Sequence, residues 1–149
     1  MSRNIITNKK AFFEYNILDK HTAGLQLKGS EVKSIKSGKT SISEAYCFID
    51  NGEIFIKGMH VAEHKEGGKH NNHQPLRDRK LLMKKKEIMK LKEKVSEKGL
   101  TIIPLAIKLT NEGLIKLDVG LARGKNLHDK SMTIKLRDLD RELKKIDNF

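Results

Sequence analysis

A small closed antiparallel barrel, mostly β with some α, is the fold this sequence predicts, and three observations predict it. Apolar and β-branched residues gather in short runs of strand length. Two of the breaks between such runs carry hairpin signals, Asp50-Asn51-Gly52 and Thr110-Asn111-Glu112-Gly113. One long and one short amphipathic helical pattern supply caps for the barrel ends. With 149 residues and 37% hydrophobic content, the chain is long enough for one ordinary core. One domain with an extension is therefore expected.

Residues 1–11 carry Arg3, Lys9 and Lys10 and no acid, which predicts a partly mobile lead-in. Residues 12–18 alternate, with Phe13, Tyr15 and Ile17 on one face, as in a half-buried strand whose aromatics join the core. A polar turn at 19–22 leads to a second strand at 23–27. Gly29-Ser30 offers a break and an N-cap for a short helix over 31–36, with Val32 and Ile35 inward and Lys33 and Lys36 outward. Gly38-Lys39-Thr40 has the end of a phosphate-binding loop, but Lys33 occupies the place of the required first glycine and a helix precedes it, so no nucleotide site is read.

Residues 45–49 and 53–57 flank Asn51-Gly52 and form the first hairpin. Cys47, the one cysteine, lies in this run and reads as a small buried hydrophobe in a reducing compartment. His60-Val61-Ala62-Glu63-His64 is a literal His-x-x-Glu-His zinc-hydrolase pattern. That chemistry needs both histidines on one stable helix, and the neighbouring Gly58 and Gly67-Gly68 argue for a polar loop, with His60, His64, His70 and His73 not read as metal ligands. Beyond Pro75, a helical pattern runs to Lys98 and stops at Gly99, with Leu81, Ile88, Leu91 and Val95 on one side. Its lysines are diluted by acids, whereas Arg77, Arg79 and Lys80 have only Asp78 beside them and are phosphate-contact candidates.

The second hairpin joins residues 100–109 and 114–121, with Pro104 implying an edge or a bulge. Both hairpins and the two early strands give six strands, the count of a small helix-capped barrel of the OB type. Gly120 to Lys130 is a cationic seam with two glycines, so the barrel is assigned to residues 1–122 and a basic tail to 123–149. Met132, Leu136, Leu139, Leu143 and Ile146 make the tail amphipathic, disordered or marginally helical when free.

Lysine and arginine number 31 against 19 acids, a net charge of +12, which makes an extended polyanion the natural partner. Nucleic acid fits better than a small acidic substrate. The sequence has no apolar run long enough to span a membrane and no signal-peptide pattern, so a cytoplasmic protein without a membrane partner is expected.

Seven stretches, in order, resemble the SsrA-binding protein family, also called small protein B. They are Asn8-Lys9-Lys10-Ala11-Phe12, Ala23-Gly24, Gly29-Ser30-Glu31-Val32-Lys33-Ser34, Gly38-Lys39, residues 75–82, Gly99-Leu100-Thr101, and Ala122-Arg123-Gly124-Lys125 with His128-Asp129-Lys130. The resemblance implies an OB-like barrel that binds the tRNA-like domain of transfer-messenger RNA (SsrA). It also implies a tail that acts in the decoding centre and messenger channel of a stalled ribosome. The chemistry would be the ribosome's, so the protein is expected to be an adaptor and not an enzyme, with no cofactor and no small-molecule substrate.

Asn8, Lys9, Leu82 and Lys116 fall where the family contacts or supports its RNA. With the matched stretches and the charge reading, the expected RNA-binding set is Asn8, Lys9, Lys10, Glu31, Lys33, Arg77, Arg79, Lys80, Leu82 and Lys116. Arg123, Lys125, His128, Asp129 and Lys130 match the tail-entry motif, with His128 suited to stacking on an exposed base. Three positions depart from the family pattern: Thr22 in place of a glutamate, Gln74 of an aspartate, and Ser131 of an arginine. The alternative reading is a generic RNA-binding barrel associated with the ribosome.

Overall fold

The computed structural model describes residues 3–63 and 72–125. They form β1 (Arg3–Thr7), α1 (Lys9–Glu14), β2 (Tyr15–Leu25), α2 (Gly29–Lys36), β3 (Thr40–Ser41), β4 (Tyr46–Asp50), β5 (Glu53–Lys57), β6 (His60–Val61), β7 (Arg79–Leu82), α3 (Lys85–Lys98), β8 (Thr101–Leu109) and β9 (Ile115–Gly124). The described residues are mostly β with three helices.

Turn chemistry explains both hairpins. Asn51 and Gly52 take positive φ of 52° and 76°, the left-handed pair that lets two strands of right-handed twist meet over a two-residue loop. β4 and β5 then pair without a slip, from Tyr46 opposite Lys57 to Asp50 opposite Glu53. The β8–β9 turn closes when the Thr110 N–H donates to Leu114 O at 2.9 Å. Pro104 stays within β8 because the β8–β9 register shifts by a bulge between Pro104 and Ala106.

The principal sheet has the order β1-β8-β4-β5-β7-β2-β9, and β8 also pairs with β9. One edge of β8 thus carries β9 and the other carries β4 and β1. The core lies inside this arrangement, where Ile54, Ile56, Leu81, Ile107, Leu117, Val119 and Leu121 are buried with Ile35 of α2 and with Ile88 and Leu91 of α3. Cys47 is buried in the same cluster, and burial pushes its thiol pKa up, away from reactivity. A second, smaller cluster lies under α1, where Ala11 meets Ile103, Leu105 and Ala122.

Several elements differ from the expectation, each for a local reason. Residues 3–7 are a strand because they pair with β8. Residues 9–14 are a helix because Asn8 caps it: the Asn8 side-chain oxygen accepts the Ala11 N–H at 3.2 Å. The Asn8 side-chain amide donates to Pro104 O at 2.9 Å, which ties the cap to β8. Phe12 and Phe13 therefore stand on a helix surface, 42% and 68% exposed, and not in the core. Residues 19–22 are strand and not turn, because β2 continues along β9 through a bulge between Ile17 and Asp19. Among the described residues seven strands, not six, make the principal sheet, one of them β7 at 79–82, inside the run the sequence predicts as helical, and β3 pairs with β6 in a second.

Ser30 is not the cap of α2, which begins one residue earlier with Lys28 at the N-cap. His60 lies on β6 and not on a helix, so the zinc-hydrolase pattern lacks the helical geometry it needs. His64 and His70 lie outside the described residues. His73 is buried, with Nδ1 2.8 Å from Ser30 Oγ and Nε2 2.9 Å from Val61 O.

Gly120 is a tight point beside the smaller cluster: a Cβ there would lie 3.0 Å from both Ile17 and Leu105. Gly120→Ala should lower stability by about 1–3 kcal/mol, read from urea midpoints. Gly29→Ala, where a Cβ meets nothing within 4 Å, should not.

Candidate nucleic-acid interface

Three adjacent strands bring the resemblance-matched residues Leu82 and Lys116 to one level. Gly24 of β2 is opposite Leu82 of β7 on one side and Lys116 of β9 on the other. Partners across a sheet share a face. Leu117 and Val119 are fully buried, so Lys116 and Asp118 between and before them point out of the core. Gly24 lets Leu82 lie close over it, since a Cβ at Gly24 would sit 3.3 Å from Leu82 Cβ. Leu82 is 51% exposed. On one side of it is a hollow of about 260 Å³ bounded by Leu25, Leu27, Val32, Leu114 and Lys116. On its other side a hollow of about 470 Å³ is bounded by Thr22, Lys80, Met83, Lys84 and Lys85.

Behind this surface lies a charged centre. Glu31 is fully buried at the start of α2. Its Oε2 accepts from Arg79 Nε at 2.6 Å and from Arg77 Nε at 2.9 Å, and its Oε1 from Arg77 Nη2 at 2.6 Å. Oε1 also accepts the Lys28 N–H at 2.7 Å, closing the first turn of α2. Burial by itself would raise the Glu31 pKa. The hydrogen bonds from Arg77, Lys28 and Arg79 outweigh it and hold the carboxyl below its ordinary range. Burial pushes Arg79 the other way, downward, against the pull of Glu31.

Arg79 therefore cannot serve as the phosphate contact that charge alone suggested. Its side chain has no exposed surface, and it also donates to the carbonyls of Met59, Gln74, Pro75 and Arg77. Arg77 keeps 27% of its side chain exposed beyond its pair with Glu31. Lys80 is partly exposed and paired with Glu53. Lys33 is exposed on the outer face of α2, as its spacing predicted.

The remaining expected residues are elsewhere. Asn8 is buried as a cap, while Lys9 and Lys10 are exposed on α1, Lys10 in a 2.6 Å pair with Glu44. That pairing raises the Lys10 pKa. Arg123 and Lys125 are exposed where β9 ends, and the Lys125 N–H donates to Glu14 O at 2.9 Å. Tyr15 is opposite Gly124 at this end, and Gly24 opposite Lys116 at the other. At about 3.3 Å per residue, the two ends of the ribbon are roughly 26 Å apart. His128, Asp129, Lys130 and Ser131 lie outside the described residues, as do the tail's apolar positions.

Sequence reasoning missed Asp118 and Lys108, which share the outer face with Lys116. Thr22 Oγ1 donates to Asp118 Oδ1 at 2.9 Å, and Lys108 Nζ is 2.8 Å from Asp118 Oδ2. The alternation Lys116-Leu117-Asp118-Val119 carried that signal.

Against this geometry stand the known proteins. The SmpB protein family model matches residues 5–148. The chain belongs to the SmpB family. It is 47% identical to the SsrA-binding protein of Christiangramia forsetii, over 95% of this chain and 89% of that one. With the SsrA-binding protein of Persephonella marina the identity is 49%, over 95% and 91%. Among solved structures, a chain from "tmRNA-SmpB: a journey to the center of the bacterial ribosome" superposes with a TM-score of 0.70 at 38% identity, covering 85% of this chain and 88% of that one.

The buried centre makes a pH-dependent prediction. A carboxyl whose pKa is lowered by folding stabilises fully above its ordinary value of 4.5, and that contribution is lost as pH falls through the folded value. Arg79→Ala should cost about 3–5 kcal/mol at neutral pH, because it removes one of the two guanidinium partners of a buried carboxylate and the donor to four backbone carbonyls. In urea titrations the gap between Glu31→Gln and the parent should be widest near neutrality and narrow below about pH 4.

Proposed function

We propose that this chain binds the tRNA-like domain of transfer-messenger RNA and delivers it to stalled ribosomes for trans-translation. The observation that carries this reading is the SmpB match over residues 5–148, with relatives named SsrA-binding protein at nearly half identity. The net charge of +12 suits a polyanionic partner. The role is that of an adaptor and not an enzyme, and it belongs where ribosomes work, in the cytoplasm.

In this reading the body is an OB-like barrel. The circuit β8-β4-β5-β7-β2-β9 returns to β8, with β1 added along β8, which supports closure. Leu82 and Lys116 form the centre of the RNA surface, flanked by Lys80, Arg77 and Lys33. Glu31 and Arg79 hold that surface in place from behind, and Asn8 fixes α1, which presents Lys9 and Lys10. The tail acts away from the body, in the decoding centre and messenger channel, through Arg123, Lys125, His128, Asp129 and Lys130. The bond from the Lys125 N–H to Glu14 O supports a body that runs as far as Lys125.

Filter binding tests the first half: the protein should prefer the tRNA-like domain over an unrelated folded RNA of equal length, with affinity falling steeply in salt. Equal binding would leave only a generic RNA-binding barrel. Lys116→Ala should weaken binding and reduce the salt slope by about one.

Truncation after Lys125 tests the second half. It should leave RNA affinity within about two-fold and abolish peptide tagging on stalled ribosomes, because the phosphate-facing strands stay intact. Joint alanine replacement of His128 and Asp129 should reproduce that loss.

A further inference from the structure

We propose that Asp118 is a specificity-determining residue, its carboxylate accepting hydrogen bonds from RNA donors, namely base amino or imino groups and ribose 2′-hydroxyls. This rests on the RNA-binding reading above and concerns the same surface. Asp118 lies two residues from Lys116 on the outer face of β9, opposite Thr22 on β2 and Ala106 on β8.

The carboxylate is held from two sides. Thr22 Oγ1 donates to one oxygen at 2.9 Å, and Lys108 Nζ sits 2.8 Å from the other. The side chain keeps 17% of its surface exposed, so it is fixed without being sealed. An ionised carboxylate has about four acceptor positions, and the two contacts leave some of them facing solvent.

Its sign decides what those positions can meet. Phosphates dominate RNA affinity and are repelled by a carboxylate, so Asp118 cannot add to backbone binding. What a carboxylate can accept are N–H and O–H groups, which are on base edges and on the 2′-hydroxyl. Base-edge donors differ from one RNA sequence to another, and 2′-hydroxyls, common to all RNA, differ in where the folded RNA presents them. Lys108 and Lys116, paired across β8 and β9, draw the backbone to the same place, so a base or ribose edge is brought within reach. Thr22 then acts as a positioning residue for the carboxylate.

The test compares the full-length parent with Asp118→Asn and Thr22→Val. Each is measured for affinity to the tRNA-like domain and to an unrelated folded RNA of equal length, over a range of salt. Asp118→Asn should cut the preference for the tRNA-like domain about ten-fold through weaker binding of that RNA alone. Affinity for the unrelated RNA should stay equal or rise, because a negative charge has gone. Thr22→Val should lose preference in the same direction by a smaller factor, with thermal melting confirming the fold.

An unchanged preference in Asp118→Asn, or an equal change for both RNAs, would show that Asp118 only orients Lys108 and would overturn the inference. If Asp118→Asn does not fold, full preference in Thr22→Val overturns it equally. A parent protein with no preference would remove the proposed function itself, a result distinguishable from failure of Asp118 alone.

Discussion

The structure depends on one buried carboxylate between two guanidinium groups. Glu31, Arg77 and Arg79 come from segments nearly fifty positions apart, and the two fully buried members would each be very unfavourable alone. Together they saturate each other's geometry. Arg79 also donates to four backbone carbonyls, binding the segment before β7 to the end of β5 and to α2. β7 is only four residues long, yet it joins β5 to β2 and carries Leu82. A strand so short has few ladder bonds of its own, so its position rests on this network more than on pairing.

From that fixed strand the layout of the surface follows. β7 meets β2 only at Gly24 and Leu25, so Leu82 stands where β2 leaves the long β2–β9 ribbon. Lys116 arrives from the other side of Gly24, at the start of β9. The same ribbon carries the chain to its opposite end, where Gly124 leaves beside α1. The candidate surface around Leu82 and Lys116 and the end of β9 are thus separated by the length of one ribbon. Asn8 secures the far end as the arginines secure the near one, by donating to a β8 carbonyl while capping α1.

How much of this was legible in the sequence depended on whether the cause was local. Asn51-Gly52, Gly99 and Pro104 announce a tight hairpin, a helix stop and a bulge, and each does what its own backbone chemistry demands. Residues 15–18 are strand as their alternation predicts, but 9–14 are helix, because the two periods are hard to separate over so few positions and the Asn8 cap decides between them. Arg79 misled for a deeper reason. A cation with one neighbouring acid looks exposed until its partner, Glu31, is brought from another element, and no local pattern reveals that pairing. Leu82 and Lys116 came from family resemblance, since composition does not mark a leucine as an RNA contact. The structure adds the reason they belong together, which is their shared register with Gly24.

The charge of the protein acts mostly as a field and only partly as contacts. Lys10 is paired with Glu44, Lys80 with Glu53, Lys108 with Asp118, and both arginines with Glu31. The exposed lysine pairs, Lys10–Glu44 and Lys80–Glu53, add little to stability, so under the proposed function each lysine would exchange its carboxylate for a phosphate at small cost. Such an exchange would free an acid and take up a phosphate, with the net charge of +12 drawing the polyanion in. The salt dependence of binding therefore counts phosphates neutralised and not lysines present. Arg79 stands outside that exchange, because leaving Glu31 would strand a buried charge, and so the same ion-pair chemistry is structural in the interior and available for recognition at the surface.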